Sequence, residues 1–198
     1  MKIKGKIDLG ISITCVLEEG IGAIIKGITR GWEGVALAFI EDLAKLANKE
    51  GFELIELYTI PPFDAEILWK IKEKIRRIIS PFNDVSYHLP WGEINIAAIN
   101  PRVRQASISE IKSLIDLVAE LNVKKLVMHP GSYTAMPQVY QRMERRIKSL
   151  TEKSISEIFN YAKEREISLA LENLEPIMVF PSSVNQKNLC PSLKEVWV

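Results

Sequence analysis

Histidine and cysteine are scarce in this chain: 198 residues hold two of each. Cys15 and Cys190 lie far apart, in no CxxC pair and at no metal-ligand spacing. That excludes a disulfide scaffold or a zinc ribbon and predicts two free thiols in a reducing, cytoplasmic compartment. Charge bias is missing as well. The net charge is +1, so nothing global argues for a nucleic acid or an anionic membrane as partner. No apolar run reaches the ~18 residues of a membrane span. The N-terminal MKIKGKIDLGISITCVLEEG has lysines before apolar residues, but Asp8 interrupts it and no small-residue cleavage site follows. A first strand is expected there rather than a signal peptide. The GIGAIIKG at 20–27 lacks the GK[ST] ending of a phosphate loop, and no GxSxG occurs. Repeats, low-complexity tracts and linkers are also lacking, so residues 1–198 are expected to form a single domain. With 47% hydrophobic and 26% charged residues, that domain has material for a core.

What is present is an alternation. Residues 7–17, 53–60, 84–88, 125–129 and 167–172 read as short strands, rich in Ile, Val and Leu and stopped by Pro or Gly. Between them lie helical patterns over 35–49, 65–79, 107–121 and 139–165. In the third, Ile108, Ile111, Leu114, Ile115, Val118 and Leu121 recur at three- and four-residue steps. Asp64 is placed to cap the second helix, and Asn95 and Asn100 to serve turns or caps before the third. Residues 20–34, with five glycines, read as a loop, as do 132–138 and most of 177–198; 192–198 resembles the first turns of a helix. The order predicts an α/β fold: a parallel sheet of about five βα units covered by helices. A closed eight-stranded barrel typically needs ~250 residues, so this chain is short for one.

In such folds ligands bind at the C-terminal ends of the strands. Both histidines, His88 and His129, stand there, on the third and fourth strands, and Glu172 ends the fifth. Adjacent parallel strands are ~4.8 Å apart, so the three side chains can converge. Two imidazoles and a carboxylate are what a divalent metal ion takes, with a position left for water or substrate. Taken singly, each could be a hydrogen-bonded loop residue or a rim ion pair; the coincidence at three consecutive strand ends carries the expectation. Glu56, near the end of the second strand, is a candidate substrate contact or internal partner. Trp91 is a candidate wall over a substrate ring or a packing residue under a loop.

The segment YHLPWGEINIAAINPRVRQASISEIKSLIDLVAELNVKKLVMHPGS, with GFELIEL before it and SLALENL after it, resembles the xylose isomerase-like TIM barrel superfamily over roughly residues 34–176. That resemblance implies an incomplete (β/α) TIM-barrel type fold, truncated after the fifth unit. It also implies a divalent metal (Zn, Mn, Mg or Co) and one of two chemistries. In the sugar or sugar-phosphate isomerase/epimerase branch, the residue matching Glu172 binds metal and assists proton transfer, and those matching His88 and His129 line the substrate pocket. In the branch of endonuclease IV-type apurinic endonucleases, residues matching His88, His129 and Glu172 ligate one zinc of three, and the partner is DNA. ENLEP is closer to the isomerase-like pattern. Both branches draw further ligands from later strands, and 20–34 and 177–198 match neither. The leading expectation is thus an isomerase or epimerase with Glu172 catalytic and a small sugar or sugar phosphate as substrate. The nuclease is the alternative; a third is a non-catalytic half-barrel that oligomerises.

Overall fold

A computed structural model describes residues 10–12, 31–58, 64–90, 94–135, 137–172 and 185–188. Five strands form one parallel sheet: β1 (Gly10–Ser12), β2 (Leu54–Tyr58), β3 (Asp84–His88), β4 (Lys125–Met128) and β6 (Ser168–Leu171), side by side in chain order. Helices α1 (Gly31–Glu50), α2 (Ala65–Ile79), α3 (Pro101–Glu120) and α4 (Pro137–Lys163) make the crossovers. The βα alternation expected from the sequence is therefore present, and it is the arc of a (β/α) barrel. A separate antiparallel pair, β5 (Ser132–Ala135) with β7 (Asn185–Asn188), joins the chain after β4 to the chain after β6.

Burial divides the sheet into two faces. Ile55, Leu57, Tyr87, Leu126, Met128 and Leu171 are buried together with the helix stripes, including Leu43, Ile75, Ile111, Leu114, Ile115 and Ile158. Side chains alternate along a strand, so Glu56, Tyr58, Ser86, His88, Val127 and Ala170 occupy the opposite, less covered face. In a barrel that face lies inside.

Several boundaries differ from the sequence reading. α1 begins at Gly31, inside the stretch read as a loop. Gly31 takes φ +72°, which a glycine adopts freely, and Glu33 complements the positive end of the helix. α3 starts six residues early, at Pro101. Asn100 Oδ1 accepts from Arg102 N at 2.9 Å, and Pro101 sits at the first helical position. The first turns of α3 are mostly exposed and so show no apolar period to read. β5 and β7 replace expected loops; both are four residues long and largely polar, so the usual strand alternation is missing. The 192–198 helix, the 20–27 glycine stretch, Cys15, Cys190 and Trp91 lie outside the described residues. Among the described residues no helix is long and apolar enough to cross a membrane.

The outer helices are tied by polar clamps. Asp116 on α3 accepts from Tyr161 Oη at 2.9 Å and from Arg165 Nε, and the Arg165 guanidinium stacks 3.4 Å from the Tyr161 ring centroid. Asp116→Asn keeps the shape and removes the charge. It is expected to cost about 1 kcal/mol in urea unfolding, the scale of a half-exposed charge-assisted bond. An unchanged midpoint would show that the clamp is ornamental.

Candidate metal centre

The histidines and the glutamate reach one point because of register. His88 pairs with Tyr58 on one side and with Val127 on the other, and Val127 pairs with Ala170. His129 and Glu172 stand two residues beyond Val127 and Ala170, so they lie on the same inner face, one step above His88. The ladder continues past the strand ends: Leu89 N donates to Val127 O at 2.8 Å, and Glu172 N to Met128 O at 2.9 Å. Each functional side chain thus hangs from backbone held on a neighbouring strand.

His88 Nε2 lies 3.0 Å from Glu172 Oε2, His129 Nε2 lies 2.9 Å from the same oxygen, and the two imidazole nitrogens are 3.2 Å apart. Four-coordinate zinc with bonds of 2.0–2.1 Å needs donor separations of about 3.3–3.4 Å. A six-coordinate ion with similar bonds needs about 2.9–3.0 Å. The observed triangle lies between the two and fits either.

Protonation strengthens the case. His88 Nδ1 is 2.9 Å from the Leu89 carbonyl oxygen, which can only accept, so Nδ1 carries the proton. In the neutral ring the Nε2 of His88 is then a bare lone pair, aimed at a carboxylate oxygen and a second imidazole. One proton cannot bridge all three edges of the triangle, whereas one cation answers three lone pairs at once. A carbonyl accepting from the far side of a ligand histidine is also the usual way its ring is oriented for metal. Tyr58 adds a second restraint, its ring meeting His88 edge-on at 4.9 Å and 83°.

The electrostatics suit a ligand set. Burial pushes the His129 pKa below its ordinary 6.5; His88 adds to this, and Glu172 opposes it without reversing it. Burial works to raise the Glu172 pKa, but hydrogen bonds and charge from His88 and His129 outweigh it and leave the carboxyl below its usual range. The imidazoles are nearly enclosed, with 14% and 12% of their side-chain surface exposed, while Glu172 keeps 43% and faces the mouth.

The three predicted ligands therefore come together. Among the described residues they form the group of His, Cys, Asp and Glu placed to hold a metal ion. Glu56 is not a fourth ligand. It lies two residues before the end of β2, in register with Ser86, whose hydroxyl donates to its Oε2 at 3.4 Å. The sequence reading passed over Tyr58, which acts through a register that no local pattern announces, and the Leu89 carbonyl, a contact between adjacent residues. It also passed over Gly131, which lets the chain after His129 turn back against Asn95 and Ala97.

The comparisons bear on the family and the fold. The chain is 26% identical to the uncharacterized protein MJ1311 of Methanocaldococcus jannaschii over 96% of its own length and 64% of that protein's. It is 24% identical to MJ1614 of the same organism over 57% of this chain and 44% of that one. The chain thus spans less than two thirds of these relatives. Among solved structures, a D-tagatose 3-epimerase-like protein superposes with a TM-score of 0.62 at 20% identity, covering 87% of this chain and 55% of that one. D-psicose 3-epimerase from Clostridium cellulolyticum H10 gives 0.52 at 16%, covering 70% and 47%. At such identity the likeness is one of fold, and it matches about half of each epimerase. A family model described as xylose isomerase-like TIM barrel matches residues 44–188, which include β2, His88, His129 and Glu172, and the chain belongs to that family.

Proposed function

We propose that this protein is a divalent-metal-dependent isomerase or epimerase acting on a small sugar or sugar phosphate, with His88, His129 and Glu172 holding the ion. The observation that carries the reading is the triangle of three donor atoms, 2.9–3.2 Å on a side, at three adjacent strand ends. A bound divalent ion would polarise substrate oxygens and make a neighbouring C–H more acidic. The chain's own part is the proton. Glu172 turns Oε2 to both imidazoles, and Oε1 remains to take a proton from carbon beside a carbonyl and return it to the same or the adjacent carbon. Tyr58 and the nearly enclosed imidazoles form the walls that limit water at that carbon.

The test is a panel of ketoses and aldoses with protein loaded with Mn²⁺ or Co²⁺, run in D₂O. Deuterium incorporation next to the carbonyl, lost in Glu172→Gln, is the expected result. Metal-loaded protein that exchanges no substrate proton across the panel overturns the reading.

Protons compete with the metal, so loading has a predictable pH profile. Because burial lowers the His129 pKa from its ordinary 6.5, the ring is mostly unprotonated at pH 6.5. Metal retention after dialysis is expected to be the same at pH 7.5 and 6.5 and to fall only on further acidification. Retention already halved at pH 7 would contradict the assignment of His129.

A second reading has one observation in its favour. Arg102 near the start of α3 and Arg142, Arg145 and Arg146 in the first turns of α4 are exposed and make no ion pair among the described residues. Helices here begin at the strand-end side of the sheet, so these cations stand on the side of the metal centre, as a phosphodiester substrate would require. Cleavage of an abasic duplex at low salt, abolished in Glu172→Gln, would favour that reading over the isomerase.

A further inference from the structure

The inner face of the sheet carries an unusual row. Register aligns Ser12, Glu56, Ser86, Lys125 and Ser168 across all five strands, immediately below the row of Tyr58, His88, Val127 and Ala170. Barrel interiors at such a level are ordinarily filled by Val, Ile and Leu. Here all five residues are polar, and among those whose side chains are described Ser86 and Ser168 are small.

Within this row Glu56 is the exception to normal pairing. Lys125 gives its ammonium to Asp84. Glu56 is partly buried and receives one long hydrogen bond, from Ser86 Oγ at 3.4 Å, with no cation paired to it among the described residues. A partly buried carboxylate held this way keeps unused acceptor capacity directed into the interior. Two residues of strand separate Glu56 from the His88 level, about 6.6 Å, which is close to the length of a five- or six-carbon chain.

We infer that Glu56 and Ser86 form a hydroxyl-recognising floor beneath the metal centre. The reacting end of a polyol substrate lies at His88, His129 and Glu172, and its distal hydroxyls donate to the Glu56 carboxylate. Tyr58, in the row of His88, borders the carbon chain. The negative charge excludes an anionic group from this end, so any phosphate on the substrate points to the mouth. This inference rests on the function proposed above and adds the substrate's orientation and class.

The test uses the Mn²⁺-loaded protein and sorbitol, a polyol without the reacting carbonyl, with hexane-1,6-diol as the control that lacks the inner hydroxyls. Binding is followed by ligand-detected NMR, and metal content is measured on each sample. Wild type is expected to bind sorbitol and not the diol. Glu56→Gln is expected to bind sorbitol at least tenfold more weakly at unchanged metal content, and Ser86→Ala about threefold more weakly. Equal sorbitol affinity in wild type and Glu56→Gln, or no sorbitol binding by metal-loaded wild type, overturns the floor and leaves the metal centre standing. Wild-type protein that takes up no Mn²⁺ overturns the metal centre instead, and with it the function on which the floor depends.

Discussion

His129→Ala and Glu172→Ala are each expected to reduce bound metal from near-stoichiometric to background in elemental analysis, a loss of at least about 100-fold in affinity. The expectation follows from donor count. Among the described residues three side chains supply the donors, and removing one leaves two, too few to displace the hydration shell of a divalent ion. The two variants should differ in their protein phenotype. Alanine at 129 removes a nearly enclosed imidazole and leaves Glu172 facing His88 alone. Alanine at 172 removes the carboxylate that draws both imidazoles together, so two nitrogens 3.2 Å apart lose their common partner. Stability without metal should therefore fall modestly in Glu172→Ala near neutral pH, since the favourable contacts of both imidazoles with the carboxylate are lost. Retained stoichiometric metal in either variant would rule the triangle out as the ligand set.

Addition of metal gives the complementary measurement. A ligand that binds the native state alone stabilises by RT ln(1 + [L]/Kd), about 2.7 kcal/mol at a hundredfold excess over Kd. Wild type should show that shift in thermal unfolding, and both alanine variants should show none. The contrast separates a folded protein without a site from a protein that has failed to fold.

The site was legible in the sequence to the extent that its signals were local. Each histidine stands within two residues of a proline that stops a strand, and Glu172 closes an apolar run. Strand ends can be found from composition, and three strand ends in consecutive parallel strands must be neighbours. Glu56 shows where this stops. Its strand is readable, but whether it meets a cation, an apolar side chain or a serine depends on register with β1 and β3, which is settled by packing across the whole sheet. Tyr58 against His88 is the same case. The start of α3 failed for a different reason: Asn100-Pro101 is a sound capping signal, yet the turns after it are exposed and carry no apolar stripe. β5 and β7 pair two polar segments 50 residues apart, a contact for which no periodicity could be a cue.

Gly131→Ala is expected to destabilise the fold by about 2–5 kcal/mol and to weaken metal binding as well, although Gly131 touches neither ion nor substrate. Two costs add. Gly131 holds φ +86°, where a Cβ is strained by about 1–2 kcal/mol. The added Cβ would also lie 2.9 Å from Asn95 Oδ1 and 3.0 Å from both the Cβ and the backbone N of Ala97. These are not flexible ends. Asn95 Oδ1 accepts from Ala97 N at 3.0 Å, and Asn95 N donates to Ser107 Oγ in α3 at 2.8 Å. The turn is thereby fixed to the helix, and forcing a methyl against it costs about a further 1–3 kcal/mol. Relief can come only by moving the 129–131 backbone, which carries His129 out of the triangle. Gly51→Ala is the control. Gly51 has a similar φ of +76°, but nothing lies within 4 Å of its virtual Cβ, so it should show the conformational cost of about 1 kcal/mol and normal metal content. If both variants lose the same stability and both keep their metal, close packing at Gly131 does not hold His129 in place.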